Sequence, residues 1–173
     1  ASLVAERMGH WVVSRNYAQQ AKLLYQELND ERNVGRLMLN LGGLKLVLGK
    51  PGQAIAHLKA SFALAVEAES QPDAAQALGS LATGRLHLGD YDAADENARK
   101  ALALLEGRED FPDEIGQSQL VLGRALLERG RLDEAEECFE AADAVFEQMA
   151  SVGHRAGAWV ARGDLASRRG DDR

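Results

Sequence analysis

Four glycines recur along this chain at almost constant spacing. Gly49, Gly89, Gly130 and Gly170 are separated by 40, 41 and 40 residues, and the same step backwards from Gly49 reaches Gly9. Glycine is the residue that most easily adopts the left-handed conformation in which many helices end. The spacing therefore predicts helices joined by turns of one kind, which is the pattern of a repeat protein.

The residues on either side of these turns recur as well. A leucine followed by a small residue precedes each turn, in Leu41-Gly42, Leu81-Ala82 and Leu122-Gly123, with Arg162-Gly163 as a weaker fourth copy. The small residue lets a partner helix approach closely. After the turn, a second set recurs at spacings of four and three, which places its members on one face of a helix. The members are Ala54, Leu58 and Ser61, then Ala94, Ala98 and Ala101, then Ala135, Phe139 and Ala142.

Three prolines, Pro51, Pro72 and Pro112, stand where a helix should begin, at positions that need no backbone donor. The pattern predicts a partial helix to about Met8 and then helices near 11–28, 31–48, 51–69, 72–88, 91–106, 112–129, 131–150 and 154–169. No segment has the pattern of a strand. The expected fold class is all-α, with antiparallel helix pairs stacked into a right-handed superhelix, an α-α solenoid with a concave side.

Small and aromatic anchors around a central turn glycine resemble the tetratricopeptide repeat, and the resemblance covers nearly the whole chain. The best copies are 75–106 and 116–149, with Tyr91 or Leu132 after the turn. The chain departs from that family in three ways. The early consensus aromatic is absent, a later helical position holds Lys45 and Arg85, and the period is nearer to 40 than to about 34 residues.

The resemblance implies a single domain over 1–173, with a partial repeat at 1–30, full repeats at 31–70, 71–111 and 112–152, and half a repeat at 153–173. We expect the sequence to be a fragment of a longer protein. The long period is similar to the C-terminal repeat region of bacterial Xre-type helix-turn-helix transcriptional regulators. That likeness implies a regulatory domain that senses a peptide or protein partner. The alternative is a structural adaptor that joins two proteins without switching.

In tetratricopeptide stacks the first helix of each pair lines the concave groove, and here the exposed face of those helices is polar. The candidate ligand-binding residues are Asn33, Arg36, Asn40, Gln76, Ser80, Thr83, His87, Gln117, Arg124 and Glu128. Side-chain amides can donate to and accept from an extended peptide backbone, and Arg36 or Arg124 could hold a carboxylate. Any single one of these residues has an equally simple interpretation as an ordinary solvent-facing side chain.

Composition and motifs argue against other classes of function. A formal charge of −7 with scattered basic residues does not suit a phosphate backbone, so we expect no nucleic acid contact by this segment. The histidines, His10, His57, His87 and His154, lie far apart, which predicts no metal site. No phosphate-binding loop and no nucleophile with its base is present, so neither a cofactor nor an enzymatic activity is expected.

Cys138 is the one cysteine, and it lies beside the core position Phe139. A partly buried, unreactive thiol is the expected state, and a chain that cannot form an internal disulfide suits the cytoplasm. No apolar run is long enough to span a membrane. Trp11, Tyr17 and Tyr25 gather in the first helix pair, where they mark either a partner-binding edge or an uncovered end of the stack. Uncovered ends can stack on each other, so a homodimer is expected.

Overall fold

The structure is a computed structural model that describes residues 17, 20–25, 27–108 and 110–170. Within these residues, 20–25 are helical and no residue is in a strand. The helices that follow are α1 (Glu31–Val47), α2 (Pro51–Glu67), α3 (Gln71–His87), α4 (Tyr91–Leu104), α5 (Pro112–Glu128), α6 (Leu132–Gln148) and α7 (Val152–Arg169). The predicted all-α fold is confirmed, and the prolines lie in the first turns of α2, α3 and α5. The predicted helix to Met8, together with Gly9, His10 and Trp11, lies outside the described residues.

The predicted turn glycines end helices in the left-handed conformation. Gly49, Gly89, Gly130 and Gly170 have φ values of 66°, 74°, 74° and 76°. After α1, the amide of Gly49 donates to the carbonyl of Leu46 at 2.9 Å, and the next amide, of Lys50, donates to Lys45 at 2.9 Å. This pair of bonds satisfies carbonyls that the end of a helix leaves unpaired. Each glycine therefore suits the backbone of its turn, because it adopts this conformation without the strain that a Cβ introduces.

The turns that follow the second helix of each pair use the same geometry without a conserved residue type. Asn29, Glu69 and Ala150 have φ values of 51°, 52° and 53°, and Gly107 takes a φ of 74° between α4 and α5. The amide after Glu69 donates to Ala65, and the amide after Ala150 donates to Phe146, both at 2.9 Å. A residue with a Cβ costs about 1–2 kcal/mol in this conformation. These turns are thus imposed by the packing of the helices that they join.

Paired helices touch where the Leu-small motif was found. A Cβ built on Gly42 would lie 2.4 Å from a methyl carbon of Leu58, and one built on Gly123 would lie 2.5 Å from the ring of Phe139. Ala82 is fully buried at the equivalent place in α3. The predicted close approach is confirmed. All nine residues of the second set, on α2, α4 and α6, are buried.

Neighbouring helices pack in chain order, and the first helices of successive pairs also touch. The backbones of α1 and α3, of α3 and α5, and of α5 and α7 come close to each other, whereas those of α2, α4 and α6 do not within the described residues, although the side chains of Arg99 in α4 and Glu134 in α6 lie 3.8 Å apart. The stack is therefore closed on the side of the odd-numbered helices and open on the side of the even-numbered ones. The odd-numbered helices form the concave side, as the sequence predicted.

Substitutions at two neighbouring glycines of α1 test the close approach of α1 and α2. Gly42→Ala should lower the free energy of unfolding by about 1–3 kcal/mol, because Leu58 is fully buried and has no room to withdraw. Gly43→Ala should raise it by up to about 1 kcal/mol, since nothing lies within 4 Å of a Cβ there and alanine favours a helix. Urea unfolding of both variants measures the difference. Equal effects would mean that α1 and α2 are not in close contact at Gly42.

A second prediction concerns the turn before α7. Ala150→Gly should raise the free energy of unfolding by about 1 kcal/mol, because glycine adopts the φ of 53° without strain. Gly130→Ala should lower it by about 1–2 kcal/mol for the converse reason. Thermal and urea unfolding of the two variants provide the measurement. A loss of stability in Ala150→Gly would contradict the turn geometry.

Candidate functional site

The concave side carries a groove that crosses three helices. It has a volume of about 430 Å³ and is bounded by α1, α3 and α5. Five of the ten predicted ligand-binding residues line it together, namely Asn40, Gln76, Ser80, Thr83 and Gln117. Leu39, Leu46 and Ala75 supply apolar surface beside them. The structure thus brings residues from all three predicted polar faces, on α1, α3 and α5, together in one groove.

The groove also contains two carboxylates that sequence reasoning missed. Asp113 and Glu114 lie in the first turn of α5 and line the groove opposite α1. Nε2 of Gln76 donates to Oε1 of Glu114 at 2.5 Å, which fixes the amide of Gln76 across the gap between α3 and α5. The first turn of α5 thus lies against the second turn of α3, so these two helices are offset along the stack. The pattern of residues along one helix carries no signal for that offset.

Asp113 is in turn connected to the last helix. Nδ1 of His154 lies 3.1 Å from Oδ1 of Asp113, a close contact without the alignment of a hydrogen bond. The imidazole also lies against Phe146, with 5.0 Å between the ring centroids. His154 therefore joins α5, α6 and α7 at the acidic edge of the groove.

The other predicted residues lie outside the groove lining. Asn33 is part of the start of α1, where its backbone amide and its Nδ2 donate to Asp30 at 3.2 and 2.7 Å. Glu128 accepts from Arg168 of α7 at 2.5 Å. His87 is exposed as the last residue of α3, and Arg124 is half-buried on α5.

Arg36 lies on α1 one helical turn before Asn40, outside the groove lining, where a buried carboxylate holds it. Nε of Arg36 and Nε of Arg32 lie 3.1 and 3.0 Å from the two oxygens of Asp73, and Oγ of Ser70 donates to the same carboxylate at 2.7 Å. Burial alone would raise the pKa of Asp73. The hydrogen bonds from Ser70, Arg32 and Arg36 together outweigh burial, so the pKa is lowered. Arg36 remains half-exposed, so one face of its guanidinium is open to a ligand.

Cys138, which was considered as a reactive residue, is partly buried. Burial raises the pKa of the Cys138 thiol to about 11, so the thiol stays protonated near neutral pH, as predicted. Among the described residues, no group of three or more His, Cys, Asp or Glu side chains is placed to hold a metal ion. In the same part of the chain, no helix combines the length and apolar character needed to span a membrane.

The Asp73 cluster gives a pH-dependent prediction. Because the folded pKa of Asp73 lies below the unfolded value of about 3.9, its stabilisation is complete above that value and is lost as the pH falls through the folded pKa. Asp73→Asn should lower the free energy of unfolding by about 1–3 kcal/mol at pH 7, and by less at pH 3. Urea unfolding at both values, with the exposed Asp164→Asn as control, measures the difference. An equal loss in the free energy of unfolding at pH 7 and at pH 3 would contradict the lowered pKa of Asp73.

Comparison with known proteins places this architecture in a family. The family model described as tetratricopeptide repeat matches the chain twice, over residues 33–107 and 73–148. The two matches overlap and run from α1 to the end of α6. A search of curated proteins found no match. Tetratricopeptide repeats generally mediate contacts between proteins, and the fold is typically a non-catalytic scaffold. The chain belongs to the tetratricopeptide repeat family.

Proposed function

We propose that this protein is a binding module that holds a peptide, or an extended segment of a partner protein, in the concave groove. The observation that carries the proposal is the convergence of three side-chain amides. Asn40 of α1, Gln76 of α3 and Gln117 of α5 come from separate helix pairs and line one groove of about 430 Å³. Ser80 and Thr83 add hydroxyl groups on the central helix.

The groove offers what an extended backbone needs. Each residue of such a segment exposes a donor and an acceptor, and a primary amide can bond to both. The polar residues can therefore hold the backbone of many sequences, while Leu39 and Leu46 offer apolar surface to a ligand side chain. Oγ1 of Thr83 donates to the carbonyl of Gly79 at 3.1 Å, so this hydroxyl can offer a ligand only its acceptor lone pairs.

Charge gives the groove two unlike edges. Asp113 and Glu114 line the groove on the α5 side, and the half-exposed Arg36 lies outside the lining on α1, one helical turn before the groove residue Asn40. A bound segment gains most when its basic groups face α5 and its acidic groups face α1. This arrangement favours one direction of the ligand across the helices.

The regulatory role expected from the sequence is part of the proposal. The groove would report its occupancy to a helix-turn-helix DNA-binding domain in the cytoplasm, as in the bacterial Xre-type regulators that the long period resembles. Ligand control requires that the stack have two curvatures and that the ligand prefer one of them. The alternative is an adaptor that holds two proteins together at constant curvature. A helix-turn-helix segment in the full-length gene supports the regulator, and its absence supports the adaptor.

Selection from a phage-displayed library of linear peptides tests the groove. The chain should enrich a set of peptides, and calorimetry should show that the double variant Asn40→Ala and Gln117→Ala weakens their binding at least about tenfold, because two of the backbone partners are lost. The third amide, of Gln76, is left intact because it also bonds to Glu114.

A matched double variant controls for the loss of polar groups elsewhere. Gln53→Ala and Gln148→Ala remove two amides that are exposed on α2 and α6, outside the groove. Their affinities should equal those of the wild type. Enrichment of no peptide, or equal losses in the two double variants, would disprove a peptide-binding groove at this place.

A further inference from the structure

The residue that precedes each turn glycine changes along the stack. It is leucine before Gly89 but arginine before Gly130 and Gly170. Consecutive helices are antiparallel, so the end of an odd-numbered helix lies beside the start of the even-numbered helix that precedes it in the chain. This residue therefore stands at the interface between one helix pair and the next, namely α2 with α3, α4 with α5, or α6 with α7.

At the interface of α4 with α5, the arginine closes an ionic clamp. Nε of Arg129 lies 2.9 Å from Oδ1 of Asp92, and Nη1 of the same guanidinium contacts Asp95. The carboxylate of Asp95 is only 8% exposed and also contacts Arg99 and Arg131, at 2.5 and 3.5 Å. Separating α4 from α5 would take Arg129 and Arg131 away from a buried carboxylate, which is costly.

The clamp recurs at the interface of α6 with α7. Arg169 lies 2.6 Å from Asp133 and 2.7 Å from Glu136. These two carboxylates follow Gly130 by three and six residues, which is the same spacing that the two α4 carboxylates have after Gly89. The clamp is thus a repeated feature of the stack and not a chance pairing of surface charges.

The interface of α2 with α3 has none of the three clamp residues. Gly52 and Ile55 stand three and six residues after Gly49, and Leu88 takes the place of the arginine. The contact is apolar instead, with Cδ1 of Ile55 only 3.0 Å from the position of a Cβ built on Gly84 of α3. An apolar contact has no preferred direction, so these two helices can turn against each other without separating charges.

The concave side of this first interface is nevertheless held together. Asp73, in the first turn of α3, has a side chain that is 11% exposed, and it contacts Arg32 and Arg36 of α1 at 3.0 and 3.1 Å. Leu88, where the clamp is missing, follows the opposite end of the same helix. The first and second full helix pairs are therefore tied together at the start of α3 and free to separate at its end.

We propose that bending of the stack is concentrated at the interface of α2 with α3, with the Asp73 cluster as its pivot. On one side of the pivot, α1 and α2 move together, because Leu58 fills the space that Gly42 leaves. On the other side, the clamps on Asp95 and Glu136 hold α3–α7 as one body. The hinge thus lies between the first and second full helix pairs.

The groove lies across this hinge. Asn40 belongs to α1, whereas Gln76 and Gln117 belong to α3 and α5. A segment that bonds to residues on both sides fixes the angle between them, so the hinge supplies the two curvatures that ligand control requires. This link to a ligand rests on the proposed function of the groove, whereas the position of the hinge does not.

Distances between spin labels test the position of the hinge. Ala56, Glu96 and Glu137 are exposed and occupy equivalent positions on α2, α4 and α6, each seven residues after a turn glycine. In a Cys138→Ala background, cysteines at these positions carry the labels, and double electron–electron resonance measures the α2–α4 and the α4–α6 distance. The α2–α4 distance should have the broader distribution, since only the α4–α6 distance spans the clamp on Asp95.

Two variants give the second interface the residues of the first. Arg129→Leu copies Leu88, and Asp95→Ile copies Ile55. Each should broaden the α4–α6 distribution toward the width of the α2–α4 distribution and leave the latter unchanged. Arg129 is partly exposed at a helix end, so its variant should keep the helix content by circular dichroism even if the buried Asp95→Ile variant does not fold. Lys59→Leu, at an exposed position of α2, is the control and should alter neither distribution.

Either of two results without a ligand would overturn the hinge. Equal widths of the two distributions would mean that bending is spread evenly along the stack. An unchanged α4–α6 distribution in the folded Arg129→Leu variant would mean that the clamp does not restrain the second interface.

A peptide selected on the groove separates the hinge from the proposed function. Its binding should narrow the α2–α4 distribution, and binding without narrowing would overturn the link between groove and hinge. If the chain binds no peptide, the proposed function fails, and the ligand-free comparison still decides the position of the hinge.

Discussion

A residue in the left-handed conformation ends each helix, and the course of the next helix follows from it. At the turns between the described helices, except the longer link between α4 and α5, the residue that follows the turn has two tasks. Its amide closes the previous helix, as Lys50 does with Lys45, and its carbonyl accepts the first hydrogen bond of the next helix, from Ala54 at 3.1 Å. The same double use recurs at Ser70, Asp90, Arg131 and Ser151. The chain reverses over so few residues that consecutive helices must lie antiparallel and close.

That closeness explains where small residues are needed. Helices that reverse over three residues come into contact along their whole length, so their side chains must interlock. Gly42 and Gly123 leave room for Leu58 and Phe139, and these large residues are completely buried as a result. Alanine serves at both places in α3, where Ala82 faces a helix whose own core positions are alanines. The size of the residue on one helix thus compensates for that on its partner.

The helices could be predicted from the sequence because the left-handed turns and the close contacts between helices both favour particular residue types. A glycine is visible at Gly89 or Gly130, and so is a proline at the start of α5. The turn at Ala150 had neither signal, and the turn at Glu69 had only the proline that follows it, because neither residue type favours the positive φ that it adopts. The groove was predictable only in part. The polar faces could be read along each helix, but the offset that brings Glu114 to Gln76 depends on how helices from different pairs are stacked.

The unequal contacts on the two sides of the stack have a mechanical consequence. The odd-numbered helices touch in a row, whereas clefts open between even-numbered helices, such as the one of about 430 Å³ that Leu102 of α4 and Cys138 of α6 help to line. A body that is continuous on one side and divided on the other bends about its continuous side. The inner row is therefore the neutral axis of this protein. Bending about this row would change the width of the outer clefts while leaving the buried contacts within each helix pair in place.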